Sequence, residues 1–214
     1  MYPNDPFSSD NFNSWAKSYD RDVQEQIQFP FNGYEQVLEA VVTLAEPQAG
    51  QSVLDLGTGT GNLALRFSGK GCKLWCMDFS EAMLEKARKK LPLAHFIVAD
   101  LRADWPPELN RSFDRIISAY VFHHLELDAK LNLCRELVTK HVAPNGKLIV
   151  ADISFPDSKT MGEFAKSVGE LWEDEPYWLA DKAMDALKNA GMDVTYQQIS
   201  PCAGIYLMKT WNHS

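Results

Sequence analysis

Val53-Leu54-Asp55-Leu56-Gly57-Thr58-Gly59-Thr60-Gly61 is the stretch around which the rest of the chain is organised. Val53, Leu54 and Leu56 make a short apolar run that reads as the end of a buried strand; three alternate glycines follow, and a helical pattern opens at Asn62. Glycines at a strand-to-helix turn let the backbone bend tightly and let a ligand approach without meeting a Cβ. Asp55 puts a carboxylate at the strand end, where a cationic ligand group can be held. Asn62 stands where a Gly-x-Gly-x-x-Gly dinucleotide fingerprint needs its third glycine. No Gly-Lys-Ser/Thr follows, which excludes a phosphate-gripping loop. A generic tight turn in an α/β protein is the bland alternative.

Upstream of this stretch, Tyr34, Val37, Leu38, Val41, Leu44 and Ala45 recur at helical spacing and stop before Pro47. Phe12, Trp15, Ala16 and Tyr19 fall on one face of an earlier helix, and residues 1–11 read as a loose polar arm. Downstream, a helix over 63–67 leads to a strand over 73–77 closed by Asp78, and Ser80 can cap a helix with Met83, Leu84 and Ala87 inside. Strands over 95–99, closed by Asp100, and over 113–119 come next, and Val121-Phe122-His123-His124-Leu125 follows. A helix near 129–140, a turn at Pro144-Asn145-Gly146 and a strand over 147–151 closed by Asp152 complete the alternation.

Short buried strands alternating with helices predict a parallel sheet covered on both faces, doubly wound, with ligands at the carboxyl ends of its strands. Asp55, Asp78, Asp100, the segment 118–123 and Asp152 all fall at those ends. The tail reads differently: an amphipathic helix over 157–175, another over 178–190, and strands over 194–199 and 205–211 whose short link permits antiparallel pairing. The expected fold is therefore an α/β, mostly parallel seven-stranded sheet ending in an antiparallel hairpin. Residues 1–30 form an arm and lid helix, and 31–214 form a single domain with a helical cap contribution from about 155–180.

The chain has 214 residues, 45% hydrophobic and 23% charged, which suits one globular core. A net charge of −8 weighs against a nucleic-acid surface, and the basic run Lys86–Lys90 suits a solvated helix end. No apolar run approaches the ~20 residues that span a bilayer. The N-terminus lacks a signal-peptide pattern, and the four cysteines show no Cys-x-x-Cys pair, so a reducing cytoplasm is expected.

With these parts together the chain resembles the class I S-adenosylmethionine-dependent methyltransferases, from about Phe12 onward. The resemblance rests on Asp55-Leu-Gly-Thr-Gly-Thr-Gly61, Asp78, Asp100, and Phe113-Asp114-Arg-Ile-Ile-Ser118 running on to His123-His124-Leu125. The start, Phe12…Trp15-Ala16…Tyr19-Asp20, is similar to ubiquinone-biosynthesis-type domains and closer still to the YrrT-type methyltransferases of Gram-positive bacteria, a type linked to sulfur amino-acid recycling. The resemblance implies S-adenosylmethionine as cofactor, S-adenosylhomocysteine as product, and no metal. It places Gly57, Thr58, Gly59 and Gly61 beside the methionine moiety, Asp55 near its ammonium and Asp78 on the ribose hydroxyls. It also places Phe79, Met83 and Leu101 around the adenine, Asp100 on its amine and Ser118 under the sulfonium; Tyr19, by its place on the N-terminal helix, is a further candidate at the cofactor and on the acceptor side. Asp78 and Asp100 could instead merely cap the turns that follow, and Met83 could be plain core. Asp114 precedes its strand and reads as structural.

His123 is the candidate catalytic residue, since imidazole titrates near neutrality and can take a proton from an acceptor. Of the two adjacent histidines at most one is expected to face the pocket, a purely structural role for His123 is the alternative, and a shared metal ion is not expected. Tyr120, His123 and Trp172 are the acceptor-side candidates, with Tyr177 and Trp178 as further wall residues. The expected partner is a small-molecule acceptor, with no nucleic acid and no membrane, and the protein a monomer or homodimer. An S-adenosylmethionine-binding module without turnover and an NAD(P)-dependent oxidoreductase are the alternatives.

Overall fold

The computed structural model describes residues 8–25 and 28–209, so residues 1–7 of the expected arm and 210–211 of the expected last strand lie outside it. The central strands form where the apolar runs predict them: β1 (Ser52–Leu56), β2 (Lys73–Asp78), β3 (His95–Val98), β4 (Phe113–Ala119) and β5 (Val142–Phe155). Successive residues point to opposite faces of the sheet. Val53, Ile117 and Ile149 therefore pack into one apolar layer, and Leu54, Ile116 and Leu148 into the other. Helix α3 (Tyr34–Ala45) and α4 (Asn62–Ser68) lie on the first layer. Helices α6 (Leu127–Glu136) and α8 (Ala180–Asn189) lie on the second.

The strand order is β3-β2-β1-β4-β5-β8-β7, where β7 is Asp193–Ser200 and β8 is Ala203–Lys209. The first five strands are parallel, β8 runs antiparallel to β5, and β7 runs antiparallel to β8. The order reverses between β1 and β4, and a sheet of this kind opens its ligand crevice at that switch. An eighth, two-residue strand, β6 (Trp178–Leu179), pairs with Ser154 and Phe155 at the end of β5. The expected helix over 178–190 therefore begins two residues later, because those two backbones extend the sheet instead.

Three further local expectations are corrected. The helix expected across Phe12–Tyr19 is two short helices, α1 (Ser9–Trp15) and α2 (Tyr19–Glu25), broken by a turn at 16–18 and starting inside the expected loose arm. The Ser18 hydroxyl and the Trp15 indole both donate to Asp22, at 2.7 and 2.9 Å, and so hold the bend. The helix expected over 157–175 stops as α7 (Ser158–Val168), because Gly169 turns left-handed at φ +59°; a single 3₁₀ turn follows and the chain then extends. The turn at 144–146 is a bulge inside one long β5, where pairing with β4 jumps from Phe113–Val142 to Arg115–Lys147.

Asp114 has the structural role its position suggested: its carboxylate accepts from the Ser52 amide and hydroxyl, each at 2.8 Å. No helix among the described residues is long and apolar enough to cross a membrane.

Candidate active site

A cavity of about 640 Å³ opens at the carboxyl ends of the strands, a size that encloses a cofactor-scale ligand. Its floor is the glycine loop and the ends of β2 and β4; α1, α2 and Phe29–Phe31 form one side, and residues 170–177 form the roof.

The glycine loop owes its shape to two close approaches. Gly57 lies at φ +67°, and a Cβ there would fall 2.3 Å from Val121, so only glycine lets the 121–125 segment press onto the loop. The Gly59 amide donates to Asp78 Oδ2 at 2.7 Å, and the Ser80 amide donates to Oδ1 at 2.8 Å. These bonds aim the Asp78 carboxylate at the cavity, and burial raises its pKa to about 6.

Asp55 is almost fully buried, and its Oδ2 has no hydrogen-bond partner among the described residues. Burial pushes this carboxyl up to about 8. Asp55 and Thr58 line a side pocket of about 30 Å³ that shares Tyr19, Gly57, Gly59 and Ala119 with the main cavity, room for a water molecule. An orphaned buried carboxylate oxygen is costly unless something polar or cationic completes it.

Phe79, Met83, Leu101 and Tyr19 line the cavity, with Phe12 packed on Phe79 at 5.0 Å between ring centroids. Asp100 also lines it, and Arg102 grips its carboxylate at 2.8 and 3.1 Å. Three expected positions stand elsewhere. Ser118 is fully buried and donates to the Leu56 carbonyl at 2.8 Å, so Ala119 and Tyr120 meet the cavity in its place. Gly61 faces Ala87 and Leu91, where an added Cβ would meet both at 3.2 Å; it packs α4 on helix α5 (Glu81–Lys90). Trp172 stacks on Phe29 at 5.4 Å, behind Tyr177 rather than in the cavity wall. Trp178 is likewise buried, its indole donating to Asp152 Oδ2 at 2.9 Å.

His123 and His124 both line the cavity, which corrects the expectation that one would face away. They sit in a 3₁₀ turn, Phe122–His124, whose tight winding brings the two ring centroids to 4.0 Å. His123 Nδ1 lies 2.6 Å from Asp152 Oδ1. That bond leaves Nε2 toward the cavity, 3.5 Å from Glu175 Oε2. Burial lowers His124 to about 2, so its ring is neutral, and burial raises the carboxyl of Glu175. Tyr120 takes φ +60°, uncommon for a bulky residue, and its buried hydroxyl has no partner among the described residues. Sequence reasoning missed Glu175, Phe29 and Phe31. Glu175 ends the acidic run Glu173-Asp174-Glu175, and nothing in that run points across 51 residues to the histidines.

The chain's residues 53–146 match the family described as methyltransferase domain. It is 32% identical over 202 residues to an uncharacterized methyltransferase of Geobacillus thermodenitrificans, covering 88% of this chain and 90% of that protein. Against the uncharacterized methyltransferase YrrT of Halobacillus halophilus the identity is 28%, covering 94% of this chain and 96% of the other. The fold is shared with magnesium protoporphyrin IX methyltransferase of Synechocystis PCC 6803 with bound S-adenosylhomocysteine, at TM-score 0.72 and 19% identity, covering 95% of this chain and 98% of that one. The DhpI-SAM-HEP complex superposes at TM-score 0.74 and 18% identity, covering 98% of this chain and 100% of the other. By its relatives, its sheet and its glycine-loop cavity, this chain belongs to the class I S-adenosylmethionine-dependent methyltransferases.

Proposed function

We propose that the protein methylates a small-molecule acceptor bound in the same cavity as the cofactor, between the histidine turn and the aromatic roof. The observation that carries this is the continuity of one cavity from the glycine loop and Asp78 to His123, Tyr120 and Tyr177.

At the cofactor end, Asp55 would complete its orphaned oxygen with the ammonium through water, beside Thr58 and the Gly57–Gly59 backbone. Asp78 would accept the ribose hydroxyls, Phe79, Met83 and Leu101 would enclose the adenine, and Asp100 would turn from Arg102 to the adenine amine. When bound, S-adenosylmethionine supplies a methyl made electrophilic by the sulfonium, and an acceptor nucleophile displaces S-adenosylhomocysteine in line. The chain's own contribution is positioning, with reacting atoms held about 3–3.5 Å apart. His123, fixed by Asp152, meets the acceptor's nucleophilic atom, and Tyr19 and Tyr120 shape the space around it. Helices α1 and α2 act as a lid over this space, and the segment 155–180 caps it.

Calorimetric titration with S-adenosylhomocysteine, run beside NAD, tests the cofactor half. Saturable binding of the first alone is expected. Asp78→Asn should weaken it by about 1.5–3 kcal/mol, the worth of a charge-assisted hydrogen bond. Unchanged affinity in that variant would remove Asp78 from the ribose. Turnover is then followed as S-adenosylhomocysteine release across thiols, hydroxyls and amines, where His123→Ala should lower kcat more than cofactor affinity.

A further inference from the structure

The acceptor end of the cavity holds a group of donors that proton transfer alone does not explain. Among the described residues, His123, His124 and Glu175 each bring a potential ligand atom to within 4.8 Å of the other two. Glu175 Oε2 is 3.5 Å from His123 Nε2 and 3.8 Å from His124 Nδ1. These separations are long for direct hydrogen bonds. They are close to the roughly 3.4 Å between neighbouring ligands of a tetrahedral ion held at about 2.0–2.1 Å.

The surroundings prepare the donors. Asp152 Oδ1 sits 2.6 Å from His123 Nδ1 and Oδ2 accepts from the Trp178 indole at 2.9 Å, so the carboxylate is pinned from both sides. A carboxylate on one ring nitrogen fixes the tautomer that leaves the other nitrogen's lone pair available, the usual support behind a ligating histidine. The 3₁₀ turn then answers the geometric objection to adjacent histidines, because its winding brings both rings beside Glu175, with one ligand atom of each within 4.8 Å of the others. Lys130, the nearby buried cation, is spent on the Pro176 carbonyl and does not fill that point.

We infer that His123, His124 and Glu175 form a site for one divalent first-row transition ion of the zinc type, with an open position facing the cavity. Two nitrogens and one carboxylate suit zinc or cobalt rather than magnesium or calcium, which prefer oxygen ligands. Three protein ligands with space in front is the pattern of a site that takes a substrate atom, whereas structural zinc is closed by four. On the methyl-transfer reading, which this inference deepens, the occupant of the open position is a thiol or hydroxyl of the acceptor, so that His123 meets the acceptor atom through the ion. Its proton passes to solvent water, its freed lone pair forms the bond to the methyl carbon, and the carbon–sulfur pair departs on the cofactor's sulfur.

The test uses tag-free, full-length protein stripped with a chelator and titrated with Co²⁺ while the visible absorption of the bound ion is recorded. One equivalent should saturate the signal. Glu175→Gln and His124→Ala should each weaken binding at least tenfold, and Asp152→Asn by about 10–100-fold through the lost support of His123. Thermal melting of the stripped variants confirms that each is folded; Glu175→Gln, half-buried and nearly isosteric, is the variant least able to disturb the fold. No saturable signal, or a signal that survives in the Glu175→Gln/His124→Ala double variant, overturns the site. S-adenosylhomocysteine affinity in the same stripped protein keeps the two readings apart: if it binds and cobalt does not, the metal site alone falls.

Discussion

At Asp55 burial and charge are directly opposed. Its carboxyl is raised from 3.8 to about 8 by burial, so it is protonated in the free protein at pH 7. A raised acid stabilises the fold fully below its unfolded value and loses that contribution as pH climbs through its folded value. The stability of the free protein should therefore fall between about pH 4 and pH 8, and Asp55→Asn should flatten that slope in denaturant titrations. An ammonium beside Asp55 favours the carboxylate. Cofactor binding near pH 7 should release a proton, seen as a dependence of calorimetric heat on buffer ionisation, and Asp55→Asn should abolish the release. Heats independent of buffer in the parent protein would detach Asp55 from the ammonium. Asp55 and Asp78 were legible in the sequence because a carboxylate at the end of a buried strand is a local pattern. Ser118 was misplaced because strand alternation turns it inward to Leu56, one residue short of the cavity.

Among the elements, α5 shows how a cap can serve two purposes. Ser80 Oγ accepts from the Met83 amide at 3.2 Å and donates to Asn13 Oδ1 at 2.7 Å, so one hydroxyl closes α5 and fastens α1 to it. Ser80→Ala should cost about 1 kcal/mol in urea unfolding, the usual worth of an N-cap. The same change should speed proteolysis within residues 9–25, and equal cleavage rates would mean that Asn13 anchors nothing. The cap was readable from sequence, whereas its bond to Asn13, 67 residues away, was not. Helical periodicity likewise found the apolar face of α1 and α2 but not the bend between them. The bend is held by Trp15 and Ser18 converging on Asp22, and an apolar pattern does not register hydrogen bonds among polar side chains.

At the scale of the molecule, the N-terminal helices are tied to the sheet at its switch point. Asp20 pairs with Lys90 at 2.8 Å and accepts from Thr60 and Asn62, so α2 is clamped to the loop that begins α4. If these helices act as the proposed lid, they should close harder when the cofactor fills the cavity. Hydrogen exchange over residues 9–25 should slow on adding S-adenosylhomocysteine, and Asp20→Asn should remove most of that protection; unchanged exchange would make these helices a fixed wall. The sequence by itself determined the strand and helix succession, the parallel sheet with its antiparallel end, and the acids at the strand ends. Each of these follows from periodicity and short-range chemistry within a few residues. Only the tertiary structure decided that Glu175 and Asp152 meet His123, that both histidines line the cavity, and that Trp172 backs the wall instead of forming it. Those outcomes depend on where distant backbones cross and how side chains fill the space between them, and close packing settles that for the whole chain at once.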